Sequence, residues 1–470
     1  MLKKIFKFYH EPESIEQIQD EQVVKKTYTH FRWRMFYSCF IAYVVFHMIR
    51  KNLVVALPDI AQEFNFTNTE LGLLGASLYV TYGIGKFING MLADKSDVRK
   101  FIPTALFCSA VANLCFVIST LFITPGEVTF FGLPSATILL WCMAFFWGAN
   151  GWFQSGGFPP IAKSLSYWYS NSERGTVWSL WSTSHQIGVA AAAFASGYLV
   201  EFLGWRAAFY VPAIMCVLLS VWLYDRLRDK PQSIGLPDVE VYRGEITKEE
   251  STEDFDNRSY IQVFKENILC NKIMWLLAIS YVFVYVIRFG TEDWIVKFLT
   301  EEKAYSVVEA SASLSILAFV GMVGVILSGV ISDRIFKGKR APVNIIYLVA
   351  IIFALIGLHY IPAENKLLMN FTVAMTGFCI SGPQMLIGGL CAIEASSKKV
   401  ASAATGFTGV WGYVGAVLSA VGTGFFVDKF QWEGAIIFWI IAALITISIM
   451  IVLLFNEYGW LKKTNLKVNK

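Results

Sequence analysis

The sequence predicts an all-α membrane protein of twelve transmembrane helices in two pseudo-symmetric six-helix halves. Three observations carry that expectation. Of 470 residues, 56% are hydrophobic and only 16% charged, against about 45–50% and about 25% in soluble domains. The apolar residues gather into runs of about 20, the length a helix needs to cross a bilayer. Two charged features also recur at nearly the same offset: Asp94 and Asp333 stand 239 residues apart, Arg50 and Arg288 238 apart, which marks a duplicated unit.

The apolar runs lie at roughly 34–57, 69–92, 100–122, 136–157, 175–199, 206–225, 272–296, 307–332, 342–362, 367–391, 402–427 and 434–455. They divide the chain into a polar tail (1–33), a first half (34–225), a charged central loop (226–270), a second half (271–456) and a short tail (457–470). The N-terminal segment lacks the apolar stretch of a signal peptide. Basic residues mark one side of the membrane: Lys95, Arg99 and Lys100; Arg226, Arg228 and Lys230; Arg334, Lys337, Lys339 and Arg340; Lys398 and Lys399. The intervening loops are poor in Lys and Arg, so that side and both termini are expected to be cytoplasmic.

Other classes are disfavoured. A net charge of +4 is too small to argue for nucleic acid. The eight cysteines lie mostly inside apolar runs with no CxxC, so neither a disulfide framework nor a metal site is expected. GxxxxGK[ST], HExxH and GxSxG are absent. In a membrane protein that absence favours a secondary transporter over an ATP-driven pump or an enzyme, with no cofactor.

The cations inside the spans carry the functional reading. An arginine at the centre of a spanning helix costs about 2.5–3.5 kcal/mol, so Arg50 and Arg288 together cost roughly 5–7 kcal/mol. Glu292 and Asp293 follow Arg288 at helical spacing and could neutralise it locally; Arg50 has no acid nearer in sequence than Asp59. With the halves related by a two-fold axis, the two guanidiniums would face each other, and an anion would have to sit between them. Phosphate fits the arginine fork. Lys86 either snorkels toward the adjacent loop or draws anions into the pathway. His185 is either a satisfied core residue or one more donor to phosphate. Tyr43, Tyr82, Tyr285 and Trp181 stand seven, four, three and four residues before Arg50, Lys86, Arg288 and His185. That spacing puts each aromatic on its cation's helix face, where it would hold a sugar or simply pack. Asp94 and Arg99, Asp333 and Arg334, with Glu173 and Arg174, form a candidate gate on the basic side, the alternative being static solvated turns. The small-residue runs AAAAFASG (190–197) and GAVLSAVGTG (415–424) permit close helix approach.

The motifs IRKN (49–52), LGLLGASLYVTYGIGKFINGMLAD (71–94), WFQSGGFPP (152–160), ERG followed by WSTSHQIG, RLRDKPQSIGLP (226–237), VFVYVIRFGTEDW (282–294) and GPQMLIGG with SAATGFTGVWGYVGA (382–416) together resemble the organophosphate:phosphate antiporters of the major facilitator superfamily. The likeness is to hexose-phosphate and glycerol-phosphate carriers, including a hexose-phosphate sensor branch. The resemblance implies the major facilitator fold and exchange of a sugar phosphate, hexose phosphate by preference, for inorganic phosphate. It implies a paired-arginine site at Arg50 and Arg288 with Lys86, His185 and the four aromatics, in a bacterial inner membrane and as a monomer. The sensor branch implies the alternative of a receptor for external hexose phosphate with a signalling partner; a membrane protein without any ligand is a third reading. His47, where an aromatic is common, and the uncharged Thr405 and Thr408 depart from the family pattern.

Overall fold

A computed structural model describes residues 8–123, 129–130, 133–245, 260–396 and 400–464. The expected positions Lys398 and Lys399 and part of the central loop lie outside the described residues, as do the side chains of Asp94 and Arg174. The helices used below are α1 Glu21–Met48, α2 Asn52–Phe64, α3 Asn68–Asp94, α4 Val98–Phe122, α5 Ser135–Gln154, α6 Phe158–Trp168, α7 Asn171–Leu203, α8 Ala207–Arg226 and the short α9 Val239–Arg243. They continue with α10 Lys272–Glu302, α11 Val307–Arg334, α12 Ala341–Tyr360, α13 Lys366–Met385 and α14 Ala401–Thr464.

Helix is the form such runs take because a spanning segment must satisfy its own backbone polar groups in hydrocarbon. Among the described residues, eleven helical stretches are long and apolar enough to cross a membrane. One of them, Ala403–Phe455, has 53 residues, about 80 Å of helix against a hydrocarbon core of about 30 Å. It breaks at Phe430 and Gln431, whose backbone is not helical, and so supplies two spans. The total is the expected twelve.

The ends are set by capping. Asp20 accepts from the amides of Gln22 and Val23 (2.9 and 3.2 Å), starting α1 well before the apolar run, because a polar amphipathic turn extends the helix beyond the span. Asp97 and Asn271 cap α4 and α10 in the same way. Ser306 and Glu309 form a capping box on α11.

The described chain clusters into two compact units. One contains residues through 53, then 80–192 and 206–245; the other contains 54–79, 193–205 and everything from 260 onward. In the first unit the core runs from Val24 through α4, α6 and α8 to Val239. There Tyr28 donates to the Pro237 carbonyl and stacks on Tyr242 at 4.2 Å, tying the start of the central loop to α1. In the second unit α10 packs along α14. A Cβ added at Gly415 would lie 2.1 Å from the Val282 carbonyl oxygen, so only glycine lets these two helices come so close.

The second unit also holds the start of α3. Asp428 accepts from the amide and side chain of Asn68 (both 2.9 Å), from the Thr69 amide (2.7 Å) and from its hydroxyl. A carboxylate there satisfies orphan amides and complements the helix dipole. Asp428→Ala should therefore cost about 1–2 kcal/mol of stability, read as a lower thermal midpoint in detergent; an unchanged midpoint would deny the cap its role.

Candidate functional site

Each unit carries one candidate half-site. In the first, the helix holding Arg50 is broken: α1 ends at Met48, α2 starts at Asn52, and Arg50 sits between them. The Arg50 and Lys51 amides both turn back to the His47 carbonyl (3.1 and 3.0 Å). Unwound backbone inside a span is tolerated where protein covers it or a cavity needs it. The C-terminal end of α1 also favours a cation there. The Arg50 guanidinium lies 4.5 Å from the centre of the Tyr82 ring, and Lys86, one turn further along α3, places Nζ 5.2 Å from the Phe158 ring. Both are cation–π contacts. From α1 and α7, Tyr43 packs on Trp181 at 4.8 Å and faces His185 at 6.3 Å. His47 donates through Nδ1 to the Tyr43 carbonyl (2.8 Å) and meets the His185 ring edge to face at 4.7 Å. The contacts fall into an Arg50–Tyr82 pair, Lys86 against Phe158, and a group of Tyr43, Trp181 and His185. His47, noted above as a departure from the family pattern, is the buried neighbour of that last group.

In the second unit Arg288 is buried on α10, 5.7 Å from the Tyr285 ring and 5.1 Å from Phe289. Its Nε donates to Glu292 at 3.2 Å, both side chains being less than a tenth exposed. Local neutralisation, open from the sequence, is therefore present, through Glu292. Asp293 is engaged differently: it accepts from the Tyr79 hydroxyl, on the part of α3 that clusters with this unit. Tyr281 donates to the Tyr285 hydroxyl (3.2 Å), and Tyr413 closes on Tyr285 at 6.0 Å. Thr408 donates to the Gly388 carbonyl (3.2 Å) and is buried.

The gate candidates take distinct positions. Glu173 receives Arg243 Nη2 at 2.5 Å and Arg32 Nη2, joining α7 to α1 and α9. Burial alone would raise the Glu173 pKa, but the hydrogen bonds and charges of Arg32 and Arg243 outweigh it and hold it below the usual carboxylate range. The clasp's stabilisation is therefore complete above the ordinary glutamate pKa and is lost as pH falls through the lower folded value. Thermal midpoints of wild type and Glu173→Gln should converge on acidification and separate at neutral pH. Arg99 donates to the Tyr224 carbonyl (2.9 Å) and covers the Tyr224 ring. Asp333 pairs with Arg340 (2.5 Å) across its own turn, and Arg340 also reaches Glu394 (2.9 Å). Arg334 is exposed. Arg32, Arg243 and Glu394 were not named from the sequence, and Arg340 only as one of the basic loop residues, because nothing in local spacing joins Glu173 to Arg32 and Arg243 or Arg340 to Glu394.

A twelve-span helical membrane protein with a guanidinium set among aromatics in each half is the architecture of a transporter. A family model described as the Major Facilitator Superfamily matches residues 39–420. The chain belongs to that superfamily and, within it, to the organophosphate:phosphate antiporter family. It is 37% identical over 467 residues to a protein of Chlamydia pneumoniae named "Probable hexose phosphate transport protein", covering 97% of this chain and 98% of the relative. It is 36% identical to a "Glycerol-3-phosphate transporter" of Bacillus subtilis, with 92% and 94% covered. To "Membrane sensor protein UhpC" of Salmonella typhimurium it is 32% identical, with 95% and 97% covered.

Proposed function

We propose that the protein carries a sugar phosphate, a hexose phosphate such as glucose 6-phosphate by preference and glycerol 3-phosphate as the alternative, in exchange for inorganic phosphate by alternating access. One observation carries this reading: Arg50 occupies a helix break, against Tyr82, with Lys86, His185 and Tyr43 on the same unit, while its repeat partner Arg288 is buried against aromatic rings. The positive groups would take the phosphoryl oxygens through charge-assisted bonds, and the aromatic edges would take the sugar. Glu292 would hold Arg288 until the more highly charged phosphate competes for it. The names of the two carriers above support a phosphate ester as cargo, the hexose ester being favoured by the likeness to the first.

The basic loops support a bacterial inner membrane with both termini cytoplasmic. The gate residues are proposed to hold the cytoplasmic ends, Arg99, Glu173 and Asp333 through the contacts above, Asp94, Arg174 and Arg334 beside them. The likeness to the membrane sensor favours a second reading, in which the same site reports external hexose phosphate to a signalling partner. Purified protein in phosphate-loaded liposomes decides between them. A carrier exchanges labelled phosphate rapidly, and externally added glucose 6-phosphate competes better than glycerol 3-phosphate; a sensor binds the ester without turnover. Binding of neither ester would overturn both readings.

A further inference from the structure

The break that presents Arg50 is completed by side chains from other helices. In an unbroken helix the Phe46 carbonyl would accept from the Arg50 amide, and the Ile49 carbonyl from the Leu53 amide. Here the Arg50 amide goes to His47 and the Leu53 amide to the side-chain oxygen of Asn52 (3.0 Å). Both vacated carbonyls are taken over by amide side chains. Gln154 Nε2 on α5 donates to Phe46 (2.8 Å), and Asn113 Nδ2 on α4 and Asn150 Nδ2 on α5 donate to Ile49 (3.1 and 2.9 Å). These amides are themselves fixed. Ser109 donates to the side-chain Oδ1 of Asn150, Gln154 also reaches the Ser109 hydroxyl (3.2 Å), and Asn52 donates to Asn113 Oδ1 (3.0 Å) and to the Ala208 carbonyl of α8 (3.1 Å). Asn52, Asn113, Asn150 and Ser109 are fully buried, and Gln154 is 4% exposed.

We infer that Asn113, Asn150 and Gln154 are positioning residues for substrate: they hold the unwound turn open and so fix where the Arg50 backbone starts, while Tyr82 fixes where its guanidinium ends. Buried polar side chains in a spanning bundle are expensive, and these are spent on two carbonyls that an ordinary helix would satisfy by itself. They act through Arg50 and touch no ligand. This inference rests on the phosphate-binding role proposed for Arg50 and adds the source of its geometry.

Equilibrium binding of labelled inorganic phosphate to the purified full chain tests it. Asn150→Ala and Asn113→Ala should each raise Kd about tenfold, and Ser109→Ala, which removes the hydroxyl shared by the Asn150 and Gln154 side chains, about threefold. Arg50→Lys should weaken binding by itself. Because the asparagines act through Arg50, adding Asn150→Ala to Arg50→Lys should then cost clearly less than it costs the wild type. A purely structural role would give independent, multiplicative losses, and that result overturns the inference while leaving the phosphate site standing; wild-type affinity in Asn150→Ala and Asn113→Ala does the same. Wild-type affinity in Arg50→Lys overturns the phosphate site and this inference with it. Should Asn150→Ala fail to fold, Ser109→Ala carries the same cycle.

Discussion

Arg50→Ala is expected to reduce phosphate counterflow into phosphate-loaded liposomes by at least about a hundredfold, since removing one partner of a desolvated charge pair costs about 2–5 kcal/mol and each 1.4 kcal/mol is tenfold. The protein should still fold. Arg50 has its ring contact with Tyr82 and sits at a helix end whose Phe46 and Ile49 carbonyls are held by Gln154, Asn113 and Asn150, so its loss leaves those two carbonyls satisfied. Arg288→Ala should abolish exchange to a similar extent, with a different side effect. It strips Glu292 of its buried guanidinium partner, and breaking a buried pair from one side costs about 3–5 kcal/mol. Its thermal midpoint should fall through the loss of that pair, and the double substitution Arg288→Ala/Glu292→Ala should recover stability without recovering exchange. Normal counterflow in Arg50→Ala or in the double variant would remove the paired-arginine site.

The second large effect is structural. Gly415→Ala should prevent recovery of folded protein, because its new methyl would lie 2.1 Å from the backbone oxygen of Val282 and 2.8 Å from the carbonyl carbon. Backbone of a packed helix cannot step aside as a flexible side chain can, and overpacking of this kind costs about 1–3 kcal/mol or more. Gly406, on the same helix, has nothing within 4 Å of the corresponding point. Gly406→Ala should leave the protein intact or stabilise it by about 0.5–1 kcal/mol. Monodisperse yield in detergent reads both; equal yields would mean that α10 and α14 tolerate separation.

Much of this architecture was legible in the sequence. The spans were written in the apolar runs, and the polar stretch between 427 and 434 foretold the break now seen at Phe430 and Gln431. Arg50, Lys86, Tyr43, Tyr82, Trp181 and His185 could be grouped because cation and aromatic sit at helical spacing within each segment. The Arg288 and Glu292 pair was visible for the same reason, one turn apart. Contacts between distant segments were not legible. Nothing local joins Tyr79 to Asp293, or Glu173 to Arg32 and Arg243. The helix break at Arg50 was also hidden, since IRKN contains neither proline nor glycine. Its signal lay elsewhere: Asn113, Asn150 and Gln154 are amides stranded in apolar runs, and a stranded amide must find a partner.

The bonds from Asp428 to Asn68 and Thr69 span 360 and 359 positions of chain. During synthesis the first turn of α3 enters the membrane long before that carboxylate has been translated. Its amides must rely on water or lipid headgroups until residue 428 has been added. A chain truncated before Asp428 would therefore lack the carboxylate that caps this helix start.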